Sequence, residues 1–136
     1  MIKHLWNIGL KILDLDAELA FLEQLGATIV LRDTLPADGD ALEYAIVRLA
    51  DVRLLLFPSV IFENQVAGGV APGLTHAVFE VDDVEAEFAR IKGLGAEVLL
   101  EPTFAKAGFG SRRIAFFRSP GGMIFEVMQV LERGVE

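Results

Sequence analysis

Cysteine is absent from this 136-residue chain. That removes disulfides, thiolate nucleophiles and cysteine-based zinc sites together, and it is compatible with a reducing compartment, so a cytoplasmic location is expected. Histidine is scarce, with two residues, so any metal site must lean on carboxylates or amides. Basic residues are outnumbered, 12 against 20 acidic, for a net charge of −8. Nucleic acid and anionic membrane surfaces repel such a chain, and the one adjacent basic pair, Arg112-Arg113, is too short to form a patch. Long apolar runs are also missing. Lys11, Asp14, Arg48, Asp51, Arg53 and Glu126 interrupt them well short of the ~18 residues of a membrane span. The first residues lack the layout of a signal peptide. The expected partner is a small molecule, with neither nucleic acid nor membrane.

Apolar residues are plentiful, at 53% with a mean hydropathy of +0.47, which excludes disorder. The length suits a single domain over 1–136. Within it the sequence repeats. Laying Asn7–Leu31 over His76–Leu100 aligns 8 identical residues of 25 without a gap, among them Asp14/Asp83, Ala17/Ala86, Glu18/Glu87 and Gly26/Gly95. Average composition gives about 2 by chance. Two modules follow, 5–58 and 74–130, joined by a linker rich in glycine and proline (Gly68, Gly69, Pro72, Gly73).

Each module reads alike. A strand (Trp6–Leu13 or Thr75–Asp82) ends at an Asp placed to cap a helix. Apolar positions at 15, 19, 22 and 25, and at 84, 88, 91 and 94, then share one helical face. Gly26 and Gly95 follow, where a left-handed cap is wanted. Three strands complete each module, at 27–33, 41–50 and 52–58, and at 96–101, 112–118 and 122–130. Asp38-Gly39-Asp40, Gly108, Gly110 and Ser119-Pro120-Gly121-Gly122 supply turns. The class is α+β, with βαβββ occurring twice.

Strand alternation assigns the faces. Ile8, Leu10, Ile12, Ala77, Phe79, Leu54, Leu56, Phe125 and Val127 suit the helix side. Asn7, Lys11, Arg53, Leu55, Phe57, His76, Glu80, Ile124, Glu126 and Met128 fall opposite. That second face is half apolar and half ionisable, which suits a concave ligand surface better than a solvated one. His4 lies an odd number of residues from Asn7, so a regular strand points it to the other face.

Asn7-Ile-Gly-Leu with Asp14-Leu-Asp, His76-Ala-Val-Phe-Glu-Val-Asp-Asp-Val, and Phe117-Arg-Ser-Pro-Gly-Gly-Met-Ile-Phe-Glu126 together resemble the glyoxalase / bleomycin-resistance / extradiol-dioxygenase (vicinal oxygen chelate) superfamily. The resemblance implies two tandem βαβββ modules forming an open, curved mixed sheet around a central cleft, and a homodimer. It also implies metal ligands on the first and fourth strands of each module, here Asn7, Leu55, His76 and Glu126. His76 and Glu126 match. Asn7 stands where His or Gln is expected, and Leu55 cannot ligate. Ser119 replaces the usual turn Asp.

A catalytic divalent ion needs about three protein ligands. His76 and Glu126 supply two, and an Asn7 carbonyl is a weak third, so the expectation is no cofactor or a weakly bound divalent metal. Two functions stay open. One is a metal-free small-molecule binding protein using Asn7, Leu55, Phe57, Ile124 and Met128, with His76, Glu126 and Arg53 orienting the ligand. The other is a metal-dependent lyase, isomerase or dioxygenase acting on vicinal oxygens, in which His76 and Glu126 are catalytic. Direct acid–base work by His76 and Glu126 is a third reading. Lys11 and Glu80 read as a structural ion pair, and Arg53, Arg112 and Arg113 as solvated edge charges. No glycine-rich phosphate loop or nucleophile elbow is present.

Overall fold

Period-two alternation and the turn residues between runs account for most of the architecture. The computed structural model describes residues 1–36 and 41–135; the turn expected at Asp38-Gly39-Asp40 lies outside the described residues. β1 (Ile2–Lys11) leads into α1 (Leu15–Leu25), then β2 (Thr28–Pro36), β3 (Ala41–Leu49) and β4 (Val52–Phe57). β5 (Gly73–Val81) leads into α2 (Val84–Gly93), then β6 (Glu97–Ala107), β7 (Gly110–Arg118) and β8 (Ile124–Arg133). β6 runs six residues past the expected end at 101. It is an edge strand, and a register shift between Leu100 and Thr103 accommodates Pro102, which has no N–H to give the ladder.

The helices start where the sequence indicates. Asp14 accepts from the Ala17 N–H at 3.0 Å, and Asp83 from the Ala86 N–H at 3.2 Å. Gly26, at φ 115°, closes α1 in the left-handed conformation. α1 lays Leu19 and Leu22 on Ala45, Val47 and Leu56, and α2 lays Val84 and Ile91 on Ala115, Phe117 and Val127. Leu25 and Leu94, expected at the ends of these stripes, are exposed in the final turns. No helix among the described residues is long and apolar enough to cross a membrane.

The strands form one mixed sheet in the order β2-β3-β4-β1-β5-β8-β7-β6. β1 runs parallel to β4, with Ile8 opposite Leu54, and β5 runs parallel to β8, with Val78 opposite Glu126. An antiparallel β1–β5 pairing joins the halves. The sheet curls until its two rims touch. At the turn between β6 and β7, the Gly108 N–H donates to the Tyr44 hydroxyl at 3.1 Å, and that hydroxyl donates to Asp33 Oδ2 at 3.3 Å. The Phe109 ring meets Tyr44 edge-on at 5.9 Å. Burial raises the Tyr44 phenol above its ordinary range, with Asp33 adding to the effect against the opposing Gly108 bond.

The connection between the halves is more than the linker that Gly68, Gly69 and Pro72 suggest. It folds back into the curl around a 3-10 turn, Glu63–Gln65. Val60 and Phe62 are buried there with Trp6, Val78, Phe116 and Met128. Phe62 is wholly buried, and burying such a side chain is worth about 1.5–3 kcal/mol. Lys11 Nζ ties the segment down, reaching Glu63 Oε2 and the Val70 carbonyl, each at 3.0 Å.

Candidate functional site

Gly9 makes room for the central side chain. Gly9 and His76 stand opposite each other in the β1–β5 ladder, and the imidazole lies over the space a Cβ on residue 9 would fill. A register shift beside this pair makes Thr75 the extra residue of β5. The Thr75 hydroxyl donates to the Gly9 carbonyl at 2.9 Å and lies 2.8 Å from His76 Nδ1. A hydroxyl has one proton, already given to Gly9, so it accepts from Nδ1–H. That assignment leaves Nε2 of a neutral His76 as a lone pair. It faces Glu126 Oε1 at 3.4 Å. Two acceptors so placed must share a proton or receive one from a third group. Both side chains are about nine-tenths buried, and Phe62 and Phe116 meet the imidazole edge-on at 5.3 and 5.1 Å.

His76 and Glu126 line a cleft of about 270 Å³. Leu35, Leu42, Leu55 and Phe57 wall it on the first half's side, and Ala105, Phe109, Ile114 and Phe116 on the other. Ser59, Val60 and Ile61 of the connecting segment complete it. Arg112 also lines the wall and is 3% exposed. Its guanidinium carbon lies 4.0 Å from the centroids of both Trp6 and Phe109, while that of Arg53 lies 3.7 Å from Trp6. Two cations over one indole at such distances take its opposite faces, giving the order Arg53, Trp6, Arg112, Phe109.

Of the residues expected to meet a ligand, Leu55, Phe57, His76 and Glu126 line this cleft. Asn7, Arg53, Ile124 and Met128 lie outside its wall. Met128 is wholly buried in the cluster with Phe62, Ile124 packs against that cluster, and Arg53 donates to the Trp6 carbonyl at 2.8 Å. Asn7 is 1% exposed, and neither its amide oxygen nor its amide nitrogen has a hydrogen-bond partner.

Several expectations are corrected. Arg112 is not a solvated edge charge, although Arg113 does sit at the surface with Glu85. Its alternation with Ile114 and Phe116 in β7 was the available signal. Lys11 and Glu80 do not pair with each other: Lys11 holds Glu63, while Glu80 takes His4 at 2.8 Å and Arg133 at 3.2 Å. β1 is not regular. Trp6 is an extra residue between Leu5 and Asn7, so His4 stands opposite Glu80, on the face from which parity had excluded it. The bulge also turns Trp6 into the cluster with Val78 and Met128, which alternation did not reveal.

The donor set does not suit a tightly held divalent ion. His76 and Glu126 supply two ligands, Leu55 presents methyl groups to the same cleft, and the Asn7 amide lies outside its wall. Among the described residues no three His, Asp or Glu side chains gather. Zinc and non-haem iron sites usually take three protein ligands and an open position.

A family model described as Glyoxalase/Bleomycin resistance protein/Dioxygenase superfamily matches residues 4–127. Solved structures of similar shape include a hypothetical protein from Bacillus halodurans C-125, 19% identical, with a TM-score of 0.72 and 96% of each chain covered. Another is a methylmalonyl-CoA epimerase from Mycobacterium tuberculosis, 19% identical, with a TM-score of 0.69, covering 95% of this chain and 89% of that one. A Streptomyces coelicolor methylmalonyl-CoA epimerase variant in complex with 2-nitronate-propionyl-CoA is 22% identical, with a TM-score of 0.71, 98% of this chain covered and 99% of that one. At these identities the likeness is one of fold. No curated protein matches the chain significantly.

Proposed function

The chain belongs to the glyoxalase/bleomycin resistance protein/dioxygenase superfamily, and within it we propose a small-molecule binding protein that works without a tightly held metal. Its ligand is a compact apolar body, such as a substituted ring, carrying a hydroxyl or other hydrogen-bond donor. One arrangement carries this reading: a mainly apolar cleft of about 270 Å³ is lined by His76 Nε2, an acceptor in the Nδ1–H tautomer, and by Glu126. That volume lies near the lower end of small-molecule sites, roughly 300–1,000 Å³. Apolar burial supplies affinity and the paired acceptors fix orientation. Arg112 on the wall favours a donor that leaves partial negative charge behind, as a phenol does.

Titration with phenol and with benzene, followed by the NMR signals of His76 and Phe116, tests this. Phenol should bind at least tenfold more tightly, and Glu126→Gln should narrow the gap. Equal affinities would remove the orienting role from the pair, and absence of both at millimolar concentration would end the reading.

The tautomer lock favours a second reading. With Nδ1–H committed to Thr75, Nε2 is the lone pair left to take a proton, and Glu126 at 3.4 Å would stabilise the resulting imidazolium. The pair could then act as a general base on a carbon acid held in the cleft. Incorporation of solvent deuterium into an α-protonated aryl ketone, lost in His76→Ala, would support it. No incorporation above the rate in buffer would leave binding alone.

A further inference from the structure

The connecting segment covers part of the concave face. On that face of β1, Trp6 packs in the cluster that holds Phe62, and Lys11 reaches Glu63 and the Val70 carbonyl. Asn7 lies between these two contacts, opposite Val78, itself buried in the same cluster. Its amide, with neither atom partnered, is therefore buried on the face that the segment covers. An unpaired buried amide is costly, and a carboxamide offers donor and acceptor side by side. The polar hold on the segment centres on one side chain, Lys11. Besides apolar packing the hold includes the Lys11 contacts and turns within the segment, such as the Val60 N–H to Glu63 Oε1 at 3.3 Å. Gly68 and Gly69, both at positive φ, are placed to let it swing.

We propose that residues 59–70 form a displaceable lid over a second chamber of the cleft, with the Asn7 amide at its polar end. The chamber takes a planar group that presents an acceptor beside a donor, a carboxamide or a carboxylic acid. Lifting Phe62 off His76 joins this chamber to the outer cleft, and brings Asn7, Val78 and Met128 to one surface with His76 and Glu126. The ligand then runs from the apolar outer walls to Asn7. This use of the chamber rests on the cleft being a ligand site; the lid itself does not.

Trp6 is the only tryptophan, so its fluorescence reports the lid without any ligand. Combining Lys11→Met with Glu63→Gln should raise acrylamide quenching of Trp6 at least threefold, with circular dichroism and cooperative unfolding retained. Phe62→Ala should do the same by another route. Quenching unchanged in both would overturn the lid. The chamber is probed with benzamide, followed by the side-chain NH₂ signal of Asn7, one of two asparagines. Benzamide should shift that signal, bind about tenfold more tightly when the lid is released, and lose that gain in Asn7→Leu. A benzamide affinity that ignores both changes would overturn the chamber, even where phenol binds the outer cleft as proposed.

Discussion

Gly9 and His76 face each other across the β1–β5 ladder so closely that a Cβ on residue 9 would stand 2.7 Å from His76 Nδ1. Real Cβ contacts do not reach that distance, so the imidazole has its place only because residue 9 has no side chain. Gly9→Ala should push the ring away from Thr75 and Glu126. We expect a stability loss of about 1–3 kcal/mol from overpacking, and phenol affinity at least tenfold weaker. Chemical denaturation and the phenol titration check the two effects separately.

Thr75→Val keeps the shape of residue 75 and removes its hydroxyl. The Gly9 carbonyl loses its donor and Nδ1–H its acceptor, at a cost of about 1–3 kcal/mol. Neutral His76 should change from the Nδ1–H to the Nε2–H tautomer, which can donate to Glu126. Nitrogen-15 shifts of the ring read this directly. An Nε2–H tautomer already present in the unmodified chain would contradict the assignment.

Ala50 has φ 53° at the two-residue turn between β3 and β4. An L-residue pays roughly 1–2 kcal/mol there, and glycine does not. Ala50→Gly should raise stability by about 0.5–1 kcal/mol, less than the full strain because glycine gains freedom in the unfolded chain. Thermal unfolding would show the midpoint rising by a few degrees.

Burial pushes the Glu80 carboxyl up, but the hydrogen bond to His4 and the charges of Arg133, Lys3 and His4 outweigh it and hold the group below the usual carboxylate range. A carboxyl depressed in the folded state contributes stability above its unfolded value, about 4.3, and loses it as pH falls through the folded value. The stability difference between the native chain and Glu80→Gln should therefore be present above about pH 5 and shrink as the pH falls below it. Urea titrations across that range check it.

The legible parts of the molecule are those where local chemistry and period agree. Asp14 and Asp83 cap their helices as their positions indicate, and the turn at Ser119 keeps its chemistry, with the hydroxyl accepting from the Met123 N–H at 3.0 Å. β5 and β8 pair without a register shift from Ala77 to Glu80, so parity carries His76 and Glu126 to one face. β1 defeats parity because Trp6 is one residue too many, and nothing local announces a bulge. Phe62 was hidden for another reason. Its neighbours Gly68, Gly69 and Pro72 signal a loop, and a loop's packing against a distant sheet has no period to read. Arg112 was legible by alternation, but its burial depends on Trp6 and Phe109 arriving from elsewhere in the chain.

Metal titration tests the central claim, a ligand cleft that dispenses with a tightly held ion, most directly. Leu55 shares the cleft with His76 and Glu126, so Leu55→Glu should complete a three-ligand set and raise Zn²⁺ and Mn²⁺ affinity at least tenfold over the native chain. The account predicts that the native protein, purified without chelator, carries well under one equivalent of metal by elemental analysis and binds added Zn²⁺ or Mn²⁺ weakly. One tightly held equivalent in the native protein, lost in both His76→Ala and Glu126→Ala, would contradict it.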